Sequence, residues 1–404
     1  MARMKEIVFS TMNIVPNAGI GTDFFDSFTR QQQVNVKPVP IDWGDAWNEL
    51  VRFGLNAQGP DISEIGTTWL GGLHSMDAIR PFTPLEASLL RAGDLFQPAV
   101  WDVCHIGRTL LAIPLIMDMR VVLYRRDWLK KAGVAESDAF TDADHFSHTL
   151  QQIKKTGHPS PLGLATFQSH TRLIHDMASW VWSAGGEIRS NDGRRMLLMD
   201  SAGRAGMRDY FALNEFISPE MQTMSETDVF NAFFAGKCAV AILPERSYLE
   251  VVMNRSHVSP EVVNNVGLAM LMKVPYIGGS ALSIWRHSSN PLEAIKLVQY
   301  LTSMEAWQVL NQKHLPFTPA RLDALAQAPL AATPFYSEIQ KSLQHARSFQ
   351  SGFRWSAVEL RLVTVIEQLW ADLRVNANLN LEHEIEQRFL PVCKRLEQTI
   401  LVSS

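Results

Sequence analysis

Along the first hundred residues, apolar positions that alternate with polar ones give way to apolar positions recurring every three or four residues, and the exchange repeats. Ile7-Val8-Phe9-Ser10 predicts a strand, and Phe24, Phe25 and Phe28 predict a helix that Thr22 can cap. Val34, Val36 and Val39, separated by Asn35 and Lys37, predict a second strand. Asp45 can cap a second helix with Ala46, Leu50, Val51 and Phe53 on its apolar side. Gly59-Pro60 then resets the chain into Ile62-Ser63-Glu64-Ile65, and a further segment begins near Trp69. Parallel neighbours need helical crossovers, so this β-α-β-α-β order predicts a parallel sheet with right-handed connections.

A second alternating region runs from Leu110 to about Gly267. Leu111-Ala112-Ile113-Pro114 and Val121-Val122-Leu123-Tyr124 flank Ile116 to Arg120, and Asp127 opens an amphipathic helix ending at Gly133. Ile174 to Ala184 reads as a helix stopped by Gly185-Gly186. Val229, Phe230, Phe233 and Phe234 lead through Gly236 into Cys238 to Leu243, a continuous apolar run of the kind covered on both faces. Ala281 to Trp285 predicts another strand, a long helix starts near Pro291, and Val358, Leu362, Ile366, Leu369 and Leu373 keep helical spacing. The fold class expected is α/β.

In an open parallel sheet, ligands bind beyond the carboxyl ends of the strands. The loops at those ends hold Met12 and Asn13, then Asp42, Trp43 and Asp45, then Gly66, Thr67, Thr68 and Trp69. Amides, hydroxyls, carboxylates and two indoles suit a hydroxyl-rich ligand with flat apolar faces. The competing reading makes Trp43 and Trp69 plugs of the sheet end.

Composition narrows the classes. A chain of 404 residues exceeds one ordinary core and fits two α/β lobes, the default, or one large barrel. A net charge of −4 without long Lys or Arg runs offers no footprint for nucleic acid or an anionic membrane, so neither is expected as a partner. Cys104, Cys238 and Cys393 are far apart in apolar surroundings and read as buried free thiols. His170 and His175 are five apart and diverge on a helix, so no metal site is expected, and no cofactor. Trp180, Trp182 and Trp370 read as core. The start, Met1-Ala2-Arg3-Met4-Lys5-Glu6, leads into too short an apolar run for a secretory signal. Either an export signal has been removed or the protein works in the cytoplasm.

Four stretches carry a family resemblance. They are Pro60 to Gly66; Ala112-Ile113-Pro114 with Asp118 to Val121 and Tyr124 to Asp127; Phe230 to Lys237; and Gly278 to Leu282, followed by Asn290 to Ala294 and Phe317 to Arg321. In that order, over roughly four fifths of the chain, they resemble the extracellular solute-binding proteins of carbohydrate ABC importers, maltose-binding-protein-like in architecture. The resemblance implies a periplasmic-binding-protein-like fold, with residues 1–117 and 276–318 in an N-terminal lobe and 118–275 and 319–404 in a C-terminal lobe. It implies a hinge, a ligand cleft between the lobes and a periplasmic or extracellular location. It also implies a monomer whose partners are a small solute, sugar above all, and the membrane permease of an ABC transporter. Carried over by position, ligand contacts fall at Asn13, Trp43, Asp45, Thr68, Trp69, Asp118, Arg120, Glu245, Tyr276, Gly279, Ser280 and Trp355. Where the family commonly has an aromatic after a Gly-Pro, this chain has Pro244-Glu245-Arg246, which bears on ligand size and orientation.

Other readings stand beside these. Asp118 and Arg120 share a strand face and can form a hinge ion pair instead of a ligand clamp. Gly278 and Gly279 can serve close backbone packing alone. A polyamine also suits carboxylates beside aromatic walls, and an intracellular sugar sensor can use the same fold. A glycoside hydrolase, with Asp45, Asp118 and Glu245 as candidate carboxylates, is the weaker class, and the expectation is that the protein is not an enzyme. The chain has no Walker loop, complete G-x-G-x-x-G, G-x-S-x-G or H-E-x-x-H.

Overall fold

The predicted alternation of strand and helix is realised in strands β1 (Lys5–Met12), β2 (Val34–Ile41), β3 (Ile62–Gly66), the short β4 (His105–Ile106) and β5 (Thr109–Leu110), the long β6 (Ile113–Arg125), β7 (Leu162–Gly163), β8 (Val240–Pro244), β9 (Val266–Met270), β10 (Ile277–Ile284) and β11 (Thr318–Pro319). The computed structural model describes residues 4–12, 21–90, 93–167, 172–253, 258–313, 315–350, 352 and 355–401. The chain divides into two compact units. Unit 1 comprises Met1–Asp118, Ile277–Ala332 and Ser348–Ser356; unit 2 comprises Met119–Tyr276, Thr333–Arg347 and Ala357–Ser404. Residues 319–332 and 348–356, assigned by the sequence reading to the C-terminal lobe, cluster with unit 1.

In unit 1, β1 runs parallel to both β2 and β3, with Ile7 opposite Val36 and Phe9 opposite Ile62. This is the parallel core that the crossovers demanded. β10 closes onto β3 antiparallel, Ala281 opposite Ile65, and β11 pairs with the first part of β6. Ile7, Phe9, Ile62, Ile65, Ala281 and Leu282 are fully buried and form the centre of this unit.

Two capping expectations are corrected. Thr22 does not cap: Gly21 holds that position, and Thr22 starts a 3-10 turn, Thr22–Phe25, ahead of the helix Asp26–Gln32. Asp45 lies inside the first turn of the helix Trp43–Asn56, whose cap is Asp42, accepting the Gly44 N–H at 2.7 Å. Asp42 holds the extended backbone that a cap requires, whereas Asp45 lies within the helix.

β6 runs as one strand through Asp118 and Arg120, which therefore lie in a strand as the sequence suggested. Its ladder continues past the polar Asp118 because Ile116 and Met117 pair with β11, while Val121 to Tyr124 pair with both β8 and β9. In unit 2, β8 also takes β7 as a parallel neighbour. The helices Leu173–Ser183 and Ser201–Ala212 meet backbone to backbone. A Cβ on Gly206 would stand 2.5 Å from the Val181 Cα, so only glycine permits this approach. Trp370 packs against Tyr210 and Phe211 at 5.4 and 5.3 Å, and Trp180, Trp182 and Trp370 are all buried, as expected of core.

Cys104, Cys238 and Cys393 are buried free thiols, and burial holds the Cys238 and Cys393 thiols at about 12, so neither is a thiolate at neutral pH. Among the described residues no helix is long and apolar enough to cross a membrane.

Candidate functional site

The carboxyl ends of β1, β2 and β3 carry an aromatic cluster in unit 1. Trp43 opens the helix after β2, and Trp69 ends the 3-10 turn Thr67–Trp69 after β3; their ring centres lie 5.5 Å apart. Trp47, one helical turn beyond Trp43, reaches Trp69 at 5.9 Å. All three indoles are half-buried, while Asp45 is exposed beside them. Gly66 makes the cluster possible, because a Cβ there would stand 3.2 Å from the Trp69 ring and 3.4 Å from that of Trp43. Thr68 is buried in the same turn.

Beneath the cluster, Glu64 of β3 is a buried carboxylate with hydrogen bonds as its stabilisation. It accepts from the Thr11 hydroxyl and the Met12 N–H, both at 2.9 Å, and from the Ser280 hydroxyl at 2.6 Å. Burial pushes its pKa up, against the lowering effect of those three donors. Between the ordinary carboxylate value, about 4.3, and the raised folded value, the folded protein keeps a proton that the unfolded chain releases, so stability falls as pH rises through that window. Glu64→Gln is expected to remove this slope, which reaches at most about 1.4 kcal/mol per pH unit. Urea midpoints of the two proteins from pH 4 to 8 test it; parallel curves would show that Glu64 titrates normally.

The remaining predicted positions of unit 1 separate. Asn13 lies outside the described residues. Ser280 directs its hydroxyl to Glu64. Gly279 has φ +139°, and a Cβ there would lie 1.9 Å from the Ile116 carbonyl oxygen, so close backbone packing accounts for this glycine. Asp118 is half-buried, and one carboxylate oxygen, Oδ1, is buried without a hydrogen-bond partner among the described residues. Trp355 is only 2% exposed, stacks on Phe349 at 4.5 Å, and its indole N–H has no acceptor among the described residues.

In unit 2, Arg120, Glu245 and Tyr276 belong to a polar centre larger than the sequence indicated. Arg120 pairs with Asp176 at 3.2 Å and donates to Glu226 at 2.7 Å, so its ion pairs are with these two carboxylates. Glu226 also accepts from Arg172 and, at 3.0 Å, from Arg246. Burial raises the Glu226 pKa, but Arg172, Arg120 and Arg246 outweigh it and hold the carboxyl far below the usual carboxylate range. Glu245 accepts the Met119 N–H at 2.7 Å and returns its own N–H to the Met119 carbonyl at 3.0 Å, which extends the β8 ladder. Tyr276 lies flat on His175, ring centres 4.3 Å apart, with its hydroxyl 3.4 Å from Nε2. Burial, reinforced by Arg120 and Arg172, depresses the His175 pKa strongly and keeps the ring neutral.

Sequence reasoning missed Glu64, Trp47, Arg172, Asp176, Glu226 and Arg246 as parts of these centres. Two signals were present. Glu64 places a charge between Ile62 and Ile65 in a short strand, and Arg172 and Asp176, four apart, share a helix face. Glu226 carried none, since an acidic residue in the first turn of Glu226–Phe234 already suits the helix dipole.

Comparison with known proteins completes the description. The family model for bacterial extracellular solute-binding protein matches residues 16–306. A Deinococcus radiodurans protein described as a "Probable ABC transporter-binding protein" is 26% identical over 266 residues, 63% of this chain, and the match spans 61% of that relative's length. Among solved structures, an ABC transporter solute-binding protein from Thermotoga lettingae bound with α-D-tagatose superposes with a TM-score of 0.79 at 17% identity, covering 98% of this chain and 100% of the other. The sugar-binding protein MalE from Xanthomonas citri does so at 0.79 and 19%, covering 99% and 98%. Maltose-bound MalE3 from T. maritima gives 0.76 and 17%, covering 99% and 100%. These likenesses show the fold, the two-lobed α/β class that the sequence predicts.

Proposed function

The chain belongs to the bacterial extracellular solute-binding proteins, and we propose that it is the substrate-binding component of an ABC importer that captures a mono- or oligosaccharide. The observation that carries the sugar reading is the half-buried pair Trp43 and Trp69, with exposed Asp45, at the carboxyl ends of parallel strands. Sugar rings present apolar C–H faces and hydroxyl edges, and this arrangement meets both. The sugars named for structural relatives, tagatose and maltose, are consistent with that class. The reading places the protein outside the cytoplasmic membrane, working as a monomer with a membrane permease. It has no catalytic step: saccharides are released unchanged. Ligand capture is coupled to closure of one lobe on the other, so saturating ligand lowers the radius of gyration in solution scattering.

A thermal-shift screen with a saccharide panel tests the reading directly. A ligand at a hundred times its Kd raises stability by about 2.7 kcal/mol. Trp69→Ala is expected to weaken that ligand by about 1–3 kcal/mol, judged from stacking on flat ligands, as measured by calorimetric titration. A Trp69→Ala protein with full affinity and a sharply lowered melting temperature would instead identify the indole as a plug of the sheet end. A panel in which polyamines shift the melting point and saccharides do not would replace sugar with polyamine.

A further inference from the structure

The ion-paired set of unit 2 has its cationic members outermost. Arg120 and Asp176 are sealed, and Glu226 is 12% exposed, whereas the Arg172 and Arg246 side chains are 26% and 28% exposed. Three guanidiniums meet two carboxylates in these ion pairs. Glu245 and Glu359 are each 1% exposed and present no carboxylate to solvent. A guanidinium has five N–H donors. Arg172 gives one to Glu226 and Arg246 gives one to the same oxygen, Oε1, and their other N–H groups have no acceptor among the described residues. Both guanidiniums are therefore oriented by one largely buried carboxylate, with donors that no described residue accepts. Arg246 directly follows Glu245 at the end of β8, and Arg172 takes the N-cap position of the helix Leu173–Ser183, so an ordered element adjoins each.

Pre-oriented guanidiniums with unused donors match a planar or tetrahedral oxyanion, whereas sugar hydroxyls alone are satisfied by neutral partners. We propose that Arg172 and Arg246 form an oxyanion subsite, and that the ligand is an acidic saccharide, carrying a carboxylate or phosphate, in preference to its neutral counterpart. This inference rests on the reading of the chain as a saccharide receptor.

The test is calorimetric titration of the whole chain with glucose, galactose and maltose against glucuronate, galacturonate, digalacturonate and glucose 6-phosphate. At least one acidic ligand is expected to bind about tenfold or more tightly than its neutral counterpart, the scale of a charge-assisted hydrogen bond. The advantage should shrink in high salt, because the two side chains are partly exposed. Arg246→Gln and Arg172→Gln should each remove most of that advantage, and Arg246→Lys should retain part of it. The uronates and the sugar phosphate distinguish the two sources of the oxyanion. Neutral sugars that bind as well as or better than every acidic one would overturn the inference and leave the saccharide receptor standing. Binding of neither class would overturn both.

Discussion

Glu226→Gln is expected to destabilise the protein by about 3–5 kcal/mol, because it removes the carboxylate shared by three guanidiniums in a largely dry site. The amide keeps the shape and one acceptor but leaves Arg120, Arg172 and Arg246 repelling one another around a neutral group. Arg120 suffers most, being sealed from water, with Asp176 as its other ion-pair partner. Acid should weaken the wild type steadily below the unfolded value. A carboxyl held below its unfolded value of about 4.3 contributes stability in full above that value; as pH falls from there to the depressed folded value, the unfolded chain takes up a proton that the folded one does not, and the contribution is lost. The variant, with no such group, should show a shallower loss in strong acid. Urea unfolding at neutral pH and down to pH 2 reads both effects. A neutral-pH difference below about 1 kcal/mol would mean that the arginines relax into solvent when released.

Gly279→Ala is expected to cost about 3 kcal/mol or more. Two independent penalties combine at this position. A φ of +139° lies where side-chain-bearing residues are strained by about 1–3 kcal/mol. The added Cβ would also stand 1.9 Å from the Ile116 carbonyl oxygen, a backbone atom that cannot turn aside. β10 must therefore shift away from β6 near this point, loosening the pairing of these two neighbouring strands. Chemical denaturation measures the cost. A loss under about 1 kcal/mol would show that the β10 backbone adjusts freely there.

The sequence by itself determined the parallel core of unit 1. The alternation in Val34 to Val39, the reset at Gly59-Pro60 and the intervening helices leave few other solutions, since parallel strands need crossovers of one hand. From the same logic came the strand-end loops that hold Trp43, Thr68 and Trp69, because their place depends only on local order. Buried Trp180, Trp182 and Trp370 followed from helical periodicity in the same way.

What only the tertiary structure decided is every feature in which residues far apart in the chain share a partner. Glu64 meets Thr11, Met12 and Ser280 across three strands, and Glu226 gathers Arg120, Arg172 and Arg246 from three segments separated by 20 to 106 residues. A lone charge in a sequence has the same local pattern whether it faces water or a buried counter-charge, since periodicity records burial and not pairing. The same holds for Gly279, whose necessity lies in the Ile116 carbonyl on another strand, and for Trp355, whose half of the stack with Phe349 is set by how a non-helical segment folds back on the helix start. Local sequence sets the elements because backbone propensity and side-chain period act within a few residues; the polar centres depend on long-range packing, which no single segment encodes.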